Sequence, residues 1–423
     1  MKKGIITISL LLLGLSAGAQ QSHMTREAYR DSVEAYSQVL KQQKLKTMAS
    51  TEARKIAFTG YLPQVNLEGE GTLNLKELNA WNGPEGQYRN NTYQGMVVIA
   101  QPLYTGGGLR AQNKIAKADE KLDQLSEELT LDQIHYQSDA IYWNASAARA
   151  GLDAAAAYQG VVQQQYNIIQ DRFEDGMISR TDLLMISTRQ KEAELQFIKA
   201  RQNYTLALQK LNILMGKSPN AKVDSLCPIG IICEPMTILT LEDVLQRRAD
   251  YASTEISIEK SEAQRKAAMS KYNPQLNMYV SGGWATGVPN MGYDLQFSPI
   301  VGLNVSIPLL RWGARFKTNR QQKAYVGIQK LQQSYITDNI NEELSAALTK
   351  LTETEFQVKT AKENLTLADE NLSLATFSYN EGKASMVDVL SAQLSWTQAQ
   401  SNLINANLAE KMAVAEYRKV ISE

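Results

Sequence analysis

The fold is decided by the segment YLPQVNL at residues 61–67, which returns later in the chain as YNPQLNM at residues 272–278. Two further segments return at an offset of about 206 residues: QPLY at 101–104 as IPLL at 307–310, and GMISRTDLL at 176–184 as GKASMVDVL at 382–390. Two copies of this length do not make a solenoid, whose repeats are short and several. The sequence therefore predicts a duplicated chain with two similar halves.

Each half opens with two segments in which apolar and polar residues alternate with a period of two. The apolar members are the odd positions from Val65 to Leu75, the odd positions from Tyr93 to Ile99, the even positions from Leu276 to Trp284 and the odd positions from Val301 to Ile307. The alternation predicts four strands with one apolar face, and each segment reaches the ~9 to 11 residues that cross a bilayer when tilted. A soluble sandwich alternates in the same way, so the pattern alone leaves both environments open.

A membrane location would require several copies of the chain. Four strands cannot close a barrel, and lipid does not tolerate open sheet edges. Eight strands from a dimer would be filled by side chains, whereas twelve strands from a trimer leave a water-filled lumen lined by the polar faces.

Long helices follow the strands, from about Leu109 to Glu174 and from about Phe316 to Asn380. At ~1.5 Å per residue, each extends on the order of 100 Å. A seam repeats every seven residues at Ile186, Ala193, Ala200, Ala207 and Leu214, beside Leu183, Phe197, Tyr204 and Leu211, and again at Ala392, Ala399, Ala406, Ala413 and Val420. This spacing predicts a coiled coil, and small alanines let the helix axes approach closely.

The N-terminus has the features of a secretory signal peptide, with two lysines, an apolar run from Ile5 to Leu15 and small residues up to Ala19. Export implies an oxidising compartment, in which Cys227 and Cys233 could form a local disulfide or remain two buried thiols. No cysteine lies near the cleavage site, so a lipid anchor has no acceptor thiol there.

Composition and motifs argue against several functions. The 44 basic residues balance 44 acidic residues, which disfavours nucleic-acid binding. His23 and His135 are isolated, so no metal site is predicted, and Gly106 to Gly108 lack the Lys-Ser/Thr of a phosphate loop. Because hydrolase and metalloprotease motifs are also missing, we expect a protein without a cofactor that is not an enzyme.

The strand hairpins, the long helices, the duplication and the pattern Gly-x-x-Ser-x-x-Asp-φ-Leu at 176–184 and 382–390 together resemble the TolC family of outer-membrane efflux proteins, over about Thr25 to Val420. The resemblance implies an α+β membrane protein, a homotrimer whose 12-stranded transmembrane β-barrel continues as a periplasmic α-helical coiled-coil tunnel. It implies a passive exit duct of a tripartite efflux or type I secretion system in the outer membrane of a Gram-negative bacterium. The implied partners are outer-membrane lipid, a periplasmic adaptor (membrane fusion) protein and an inner-membrane pump.

The same resemblance suggests roles for the hairpin tips. It places a periplasmic gate there, with Asp182, Asp388, Arg180, Arg172 and Tyr379 as candidates, and adaptor docking at Gly176, Ser179, Gly382 and Ser385. The chain departs from the family at Ala384, where a tip arginine is expected, and at Ser391, where a second acid is expected. Ser179 with Asp182 and Ser385 with Asp388 also fit capping boxes, and Gly176 and Gly382 fit helix ends, so a structural role stands beside the functional one.

These patterns divide the chain into a signal peptide (1–19), N-terminal helices (20–60), a first β-hairpin of the barrel (61–104), a first long helical hairpin (105–215), an equatorial linker (216–240), a helix of the second repeat (241–271), a second β-hairpin (272–310) and a second long helical hairpin with the C-terminus (311–423). Two other functions fit part of these patterns. A general diffusion porin would not need helices of this length, and a periplasmic coiled-coil scaffold would not need four bilayer-length strands.

Overall fold

The computed structural model describes residues 24–73, 91–231, 237–286 and 294–423. The predicted signal peptide, His23, Leu75 and Cys233 lie outside these ranges. The helices are α1 (Arg26–Tyr36), α2 (Gln38–Thr59), α3 (Gly108–Glu174), α4 (Arg180–Leu214), α5 (Leu241–Arg247), α6 (Ala249–Ser270), α7 (Ala314–Asn380) and α8 (Met386–Val420). The strands are β1 (Gln64–Leu73), β2 (Asn91–Thr105), β3 (Gln275–Ala285), β4 (Gln296–Phe297) and β5 (Ile300–Ser306). Within the described ranges, every helix is too short or too polar to be a membrane span.

The lengths of the helices confirm the duplication. Helices α3 and α7 have 67 residues each, α4 and α8 have 35 each, and α2 and α6 have 22 each. Both long pairs are offset by about 206 residues at each end, as the repeated segments predict. The interval from the start of β3 to the start of α7 is about five residues shorter than the matching interval in the first half. The difference between the halves therefore lies within the hairpins.

The strands form one antiparallel sheet in the order β1, β2, β3, with β4 and β5 both paired to β3. Val65 lies opposite Ile99, Ile99 opposite Val280, and Val280 opposite Val301. Residues that lie opposite each other share a face of the sheet, so this row crosses all the long strands on one face. Val65 is 64% exposed and Val301 is 73% exposed. The predicted apolar face is therefore continuous, and the chain itself leaves much of it uncovered.

The last strand is shorter than the sequence predicts. Strands β1, β2 and β3 have 10, 15 and 11 residues, but the fourth is interrupted into β4 with 2 residues and β5 with 7. Pro299 lies between the two pieces and has no N–H to donate to β3. Its neighbour Ser298 still donates its N–H to the Gly283 carbonyl at 2.8 Å. The prediction of four bilayer-length strands is thus wrong for the fourth.

Contacts divide the chain into two compact units. Among the described residues, the first comprises 24–37, 134–231, 237 and 347–419, and the second comprises 38–73, 91–133, 238–286, 294–346 and 420–423. In the first unit the heptad seam is confirmed, because Ile186, Ala193, Leu211, Ala392, Ala399, Ala406 and Ala413 are all buried. Ala200 and Ala207 are only half-buried. The second unit holds the sheet.

The segment between the two halves is bound to α3 in the first unit. The Tyr142 hydroxyl donates to the Met24 carbonyl at 2.6 Å and accepts the Cys227 N–H at 3.0 Å. Ser146 donates to the Cys227 carbonyl at 2.6 Å. These bonds fix the start of the segment, while the pairing of Cys227 with Cys233 stays a prediction because Cys233 is outside the described residues.

Candidate functional site

Both hairpin tips are built in the same way. Gly176, with φ 75°, ends α3, and the N–H groups of Gly176 and Met177 donate to the carbonyls of Phe173 and Arg172 at 2.9 and 2.8 Å. Gly382, with φ 72°, ends α7 through the equivalent pair of bonds. Such a pair defines a Schellman motif, which needs a left-handed residue and so favours glycine. Their predicted role as helix ends is confirmed.

A serine and an aspartate start the second helix of each hairpin. The Asp182 N–H donates to Ser179 Oγ at 3.2 Å, and the Asp388 N–H donates to Ser385 Oγ at 3.3 Å. In the second tip, the Ser385 N–H also donates to Asp388 Oδ2 at 2.9 Å, which completes a capping box. The hydroxyl and the backbone N–H of Ser385 hold the pKa of Asp388 below its usual value. Capping is therefore confirmed at both tips.

Three of the gate candidates come together although they belong to different hairpins. Burial raises the pKa of the Tyr379 hydroxyl, the negative charge of Asp182 raises that pKa further, and the positive charge of Arg172 lowers it. Tyr379 therefore lies within electrostatic reach of both charges. Its hydroxyl is buried and has no hydrogen-bond partner among the described residues.

The other two candidates lie outside this cluster. Arg180 and Asp388 are both exposed. In the parts of the chain that the structure describes, the polar contacts of the Asp388 carboxylate are with Ser385. Asp388 therefore presents a solvated charge at the end of its hairpin, whereas Asp182 is half-buried.

An apolar core beneath the tips holds the hairpins together. Val389 and Met386 at the start of α8 pack in one cluster with Ile169 of α3 and Ile186 of α4. Tyr379 packs at the margin of the same cluster. A rotation of one hairpin against the other would therefore disturb this core and the Tyr379 contacts together.

One polar contact between the hairpins was missed by sequence reasoning. Gln393 is 1% exposed, and its Nε2 donates to Gln165 Oε1 of α3. Gln393 follows Val389 and Met386 at the i+4 and i+7 positions of α8, which lie on one helix face. That spacing next to two apolar residues could have identified Gln393 as a buried polar side chain.

A cavity of about 400 Å³ lies further along the same helices, among α3, α4 and α8. Its wall combines small residues such as Gly151 and Ala200 with Tyr158, Trp396 and several carboxamides, and none of its lining residues is charged. The half-buried position of Ala200 in the heptad seam follows from this incomplete packing.

Comparison with known proteins decides the family. The model of the outer membrane efflux protein family matches residues 14–217 and 240–421, which is most of the chain. The chain belongs to the outer membrane efflux protein family. The two matched segments correspond to the two halves of the duplication, separated by residues that join them.

Individual relatives of this family member are distant in sequence. Nodulation protein T of Rhizobium leguminosarum bv. trifolii is 21% identical over 361 residues, which cover 83% of this chain and 75% of that protein. Alkaline protease secretion protein AprF of Pseudomonas aeruginosa is 24% identical over 242 residues, which cover 55% of this chain and 49% of AprF. The outer membrane protein VceC of Vibrio cholerae has a similar structure, with a TM-score of 0.80 at 14% identity over 94% of this chain and 96% of VceC. The likeness to VceC shows the fold.

Family and fold together confirm the predicted resemblance to TolC. This efflux protein has a TolC-like fold and is a channel component of the outer membrane.

Proposed function

We propose that three copies of this efflux protein share one transmembrane barrel, each contributing β1, β2, β3 and the interrupted strand β4/β5. The sheet order supports this proposal, because the outer edges of β1 and β5 pair with no other strand in the described ranges. A lipid environment does not tolerate such edges, and neighbouring copies would satisfy them. The uncovered apolar face supports a lipid-facing outer surface, and Glu68 and Glu70 of the opposite face would line the lumen.

The long helices would continue the barrel as a duct, with the hairpin tips as its gate. Threefold symmetry would bring three copies of Asp182 and of Asp388 towards one axis. Rings of carboxylates attract cations and repel anions. We propose that Tyr379 and Arg172 hold the Asp182 ring in place, that Arg180 contributes at the rim, and that the closed duct is cation-selective.

The duct itself would be passive, and we assign it no catalytic step. An inner-membrane pump would supply the energy through a periplasmic adaptor that docks on the tips around Gly176, Ser179, Gly382 and Ser385. The similar backbone of the two tips supports this role, because three copies would present six similar surfaces to a ring of adaptors.

Two neighbouring positions on β1 test the barrel. Leu67→Cys and Glu68→Cys, each made with Cys227→Ser and Cys233→Ser, would be labelled with a fluorophore in the reconstituted protein. Both residues are exposed in the single chain, but they belong to opposite faces of the sheet. We expect brominated lipid to quench the label at position 67 and aqueous iodide to quench the label at position 68. Equal quenching by iodide at both positions would contradict the barrel.

The number of chains is measured separately. Native mass spectrometry of the detergent-solubilised protein should give three chains per complex. A monodisperse monomer that needs no detergent would instead favour a periplasmic scaffold.

A further inference from the structure

Positive charge is concentrated where α7 follows the sheet. Residues 311–337 contain no Asp or Glu, in a chain whose 44 basic and 44 acidic residues balance overall. The basic residues of this segment are all exposed, namely Arg311, Arg315, Lys317, Arg320, Lys323 and Lys330. None of them forms an ion pair within the described parts of the chain.

The equivalent part of the first half, residues 105–131, contains four basic and five acidic residues, and its basic residues are grouped on one face of α3. Arg110, Lys114, Lys117 and Lys121 are exposed and spaced i, i+4, i+7 and i+11 along α3, so they share one face of the helix. The three lysines line a groove of about 450 Å³ together with Lys266, Glu259 and Glu262 of α6. The four lysines of this groove outnumber its two glutamates, and Glu262 is also paired with Arg265 at 3.3 Å. Positive charge is therefore in excess in this groove. We call the basic residues of 110–121 and 311–330 the basic collar.

The collar is unfavourable for the helices that carry it. A helix start is stabilised by negative charge, and α1, α4, α5, α6 and α8 each have an acidic residue in the first turn. The first turns of α3 and α7, the helices that come after strands in the chain, contain no acidic residue. The first turn of α2, which follows α1 closely, contains none either. Arg315 and Lys317 add positive charge to the positive end of α7. An anionic partner from outside the chain would offset this repulsion.

An exposed apolar patch adjoins the collar. Leu309 is 92% exposed, Trp312 is 85% exposed and Phe316 is 79% exposed. Trp312 has φ 47°, a left-handed conformation that is strained for a bulky side chain. The equivalent residue of the first half is Gly106, with φ 64°. A strained and exposed tryptophan just before the start of α7 fits the interface of a membrane, where tryptophan is enriched.

We propose that the basic collar binds the anionic headgroups of phospholipids in the leaflet that faces the periplasm. Lys and Arg attract anionic lipid surfaces, and their N–H groups form charge-assisted hydrogen bonds with phosphate. Leu309, Trp312 and Phe316 lie among the adjoining acyl chains. The inference rests on the proposed barrel, because the barrel places the strand ends at the membrane boundary.

The test compares two fourfold variants of the full chain in phosphatidylcholine bilayers. The collar variant is Arg315→Gln/Lys317→Gln/Arg320→Gln/Lys323→Gln. The control is Lys199→Gln/Lys210→Gln/Lys359→Gln/Lys362→Gln, which removes four exposed charges that have no ion-pair partner in the described ranges. These four lysines belong to the first compact unit, whereas the sheet and the collar belong to the second. The measurement is the association of spin-labelled phosphatidylglycerol relative to spin-labelled phosphatidylcholine.

The wild type and the control should prefer phosphatidylglycerol by about fivefold or more at low salt, and the collar variant should show almost no preference. Added salt should weaken the wild-type preference, because it screens exposed charges. An unchanged preference in the collar variant would overturn the proposal. So would a collar variant with altered ion selectivity and normal lipid preference, since its charges would then face the lumen. A wild-type chain that fails to insert would overturn the barrel and the collar with it, whereas conducting channels without lipid preference would overturn the collar alone.

Discussion

At each hairpin tip, one aspartate takes part in the cap of a helix and also carries a charge. Asp182 and Asp388 both bond to the serine that precedes them by three residues, and only Asp388 completes the capping box. The serine spacing made the caps predictable, because a capping box is a local motif. The approach of Tyr379 to Asp182 was not predictable, because it depends on how two hairpins pack together.

Substitutions at the second tip separate the cap from the charge. Ser385→Ala removes the oxygen that accepts the Asp388 N–H, so it should destabilise α8 by about 1 kcal/mol and lower the melting temperature. Asp388→Asn keeps an acceptor for the Ser385 N–H and removes the charge. We expect it to change ion selectivity, with a loss of stability that is measurable but smaller than that of Ser385→Ala. Selectivity that changes equally in both variants would contradict this division.

The pH dependence of stability should show the cap of Asp388. Because hydrogen bonds from Ser385 lower its pKa in the folded protein, its stabilising effect is present above the ordinary pKa of 3.8 and is lost as the pH falls through the lowered value. The difference in melting temperature between the wild type and Asp388→Asn should therefore be constant from pH 7 to about pH 5 and shrink below about pH 4. A difference that grows as the pH falls would contradict the lowered pKa.

At the scale of elements, the periodicity of the sequence predicted the helices and strands, but it did not predict where a strand is interrupted. The expected ends of α3 and α7 agree with the structure because Gly176 and Gly382 mark them, and the expected starts agree to within about two residues. The fourth strand was overestimated because alternation hides a proline, which keeps the period but breaks the hydrogen-bond ladder. The cavity among α3, α4 and α8 was also missed, since the heptad pattern alone does not show where three helices diverge.

Two glycines of α3 test that cavity. A Cβ atom at Gly151 or at Gly160 would meet nothing within 4 Å, but only Gly151 lines the cavity. Leucine at either site should stabilise the helix by up to about 1 kcal/mol through helix propensity. Gly151→Leu should add the burial of its apolar side chain, and its melting temperature should exceed that of Gly160→Leu. Equal melting temperatures would show that the cavity is already filled in the assembled protein.

At the scale of the whole molecule, the unpaired outer edges of the described sheet support the proposed assembly of several copies. The duplication was evident in the sequence and recurs in the matched helix lengths. The apolar face was predictable from alternation, and its exposure in the single chain supports the proposed contacts with lipid and with neighbouring copies. In the proposed trimer, the charged residues at the hairpin tips lie around one axis, and the proposed gate depends on this arrangement.

Single-channel conductance in a planar bilayer tests the gated duct most directly. The wild type, Asp182→Asn/Asp388→Asn and the cap control Ser179→Ala/Ser385→Ala would be compared after purification in detergent. We predict a small, cation-selective conductance for the wild type and the cap control. The double Asp→Asn variant should lose this selectivity, because it lacks the carboxylate rings. A large, unselective conductance that is the same in all three proteins, or no conductance at all, would contradict the account.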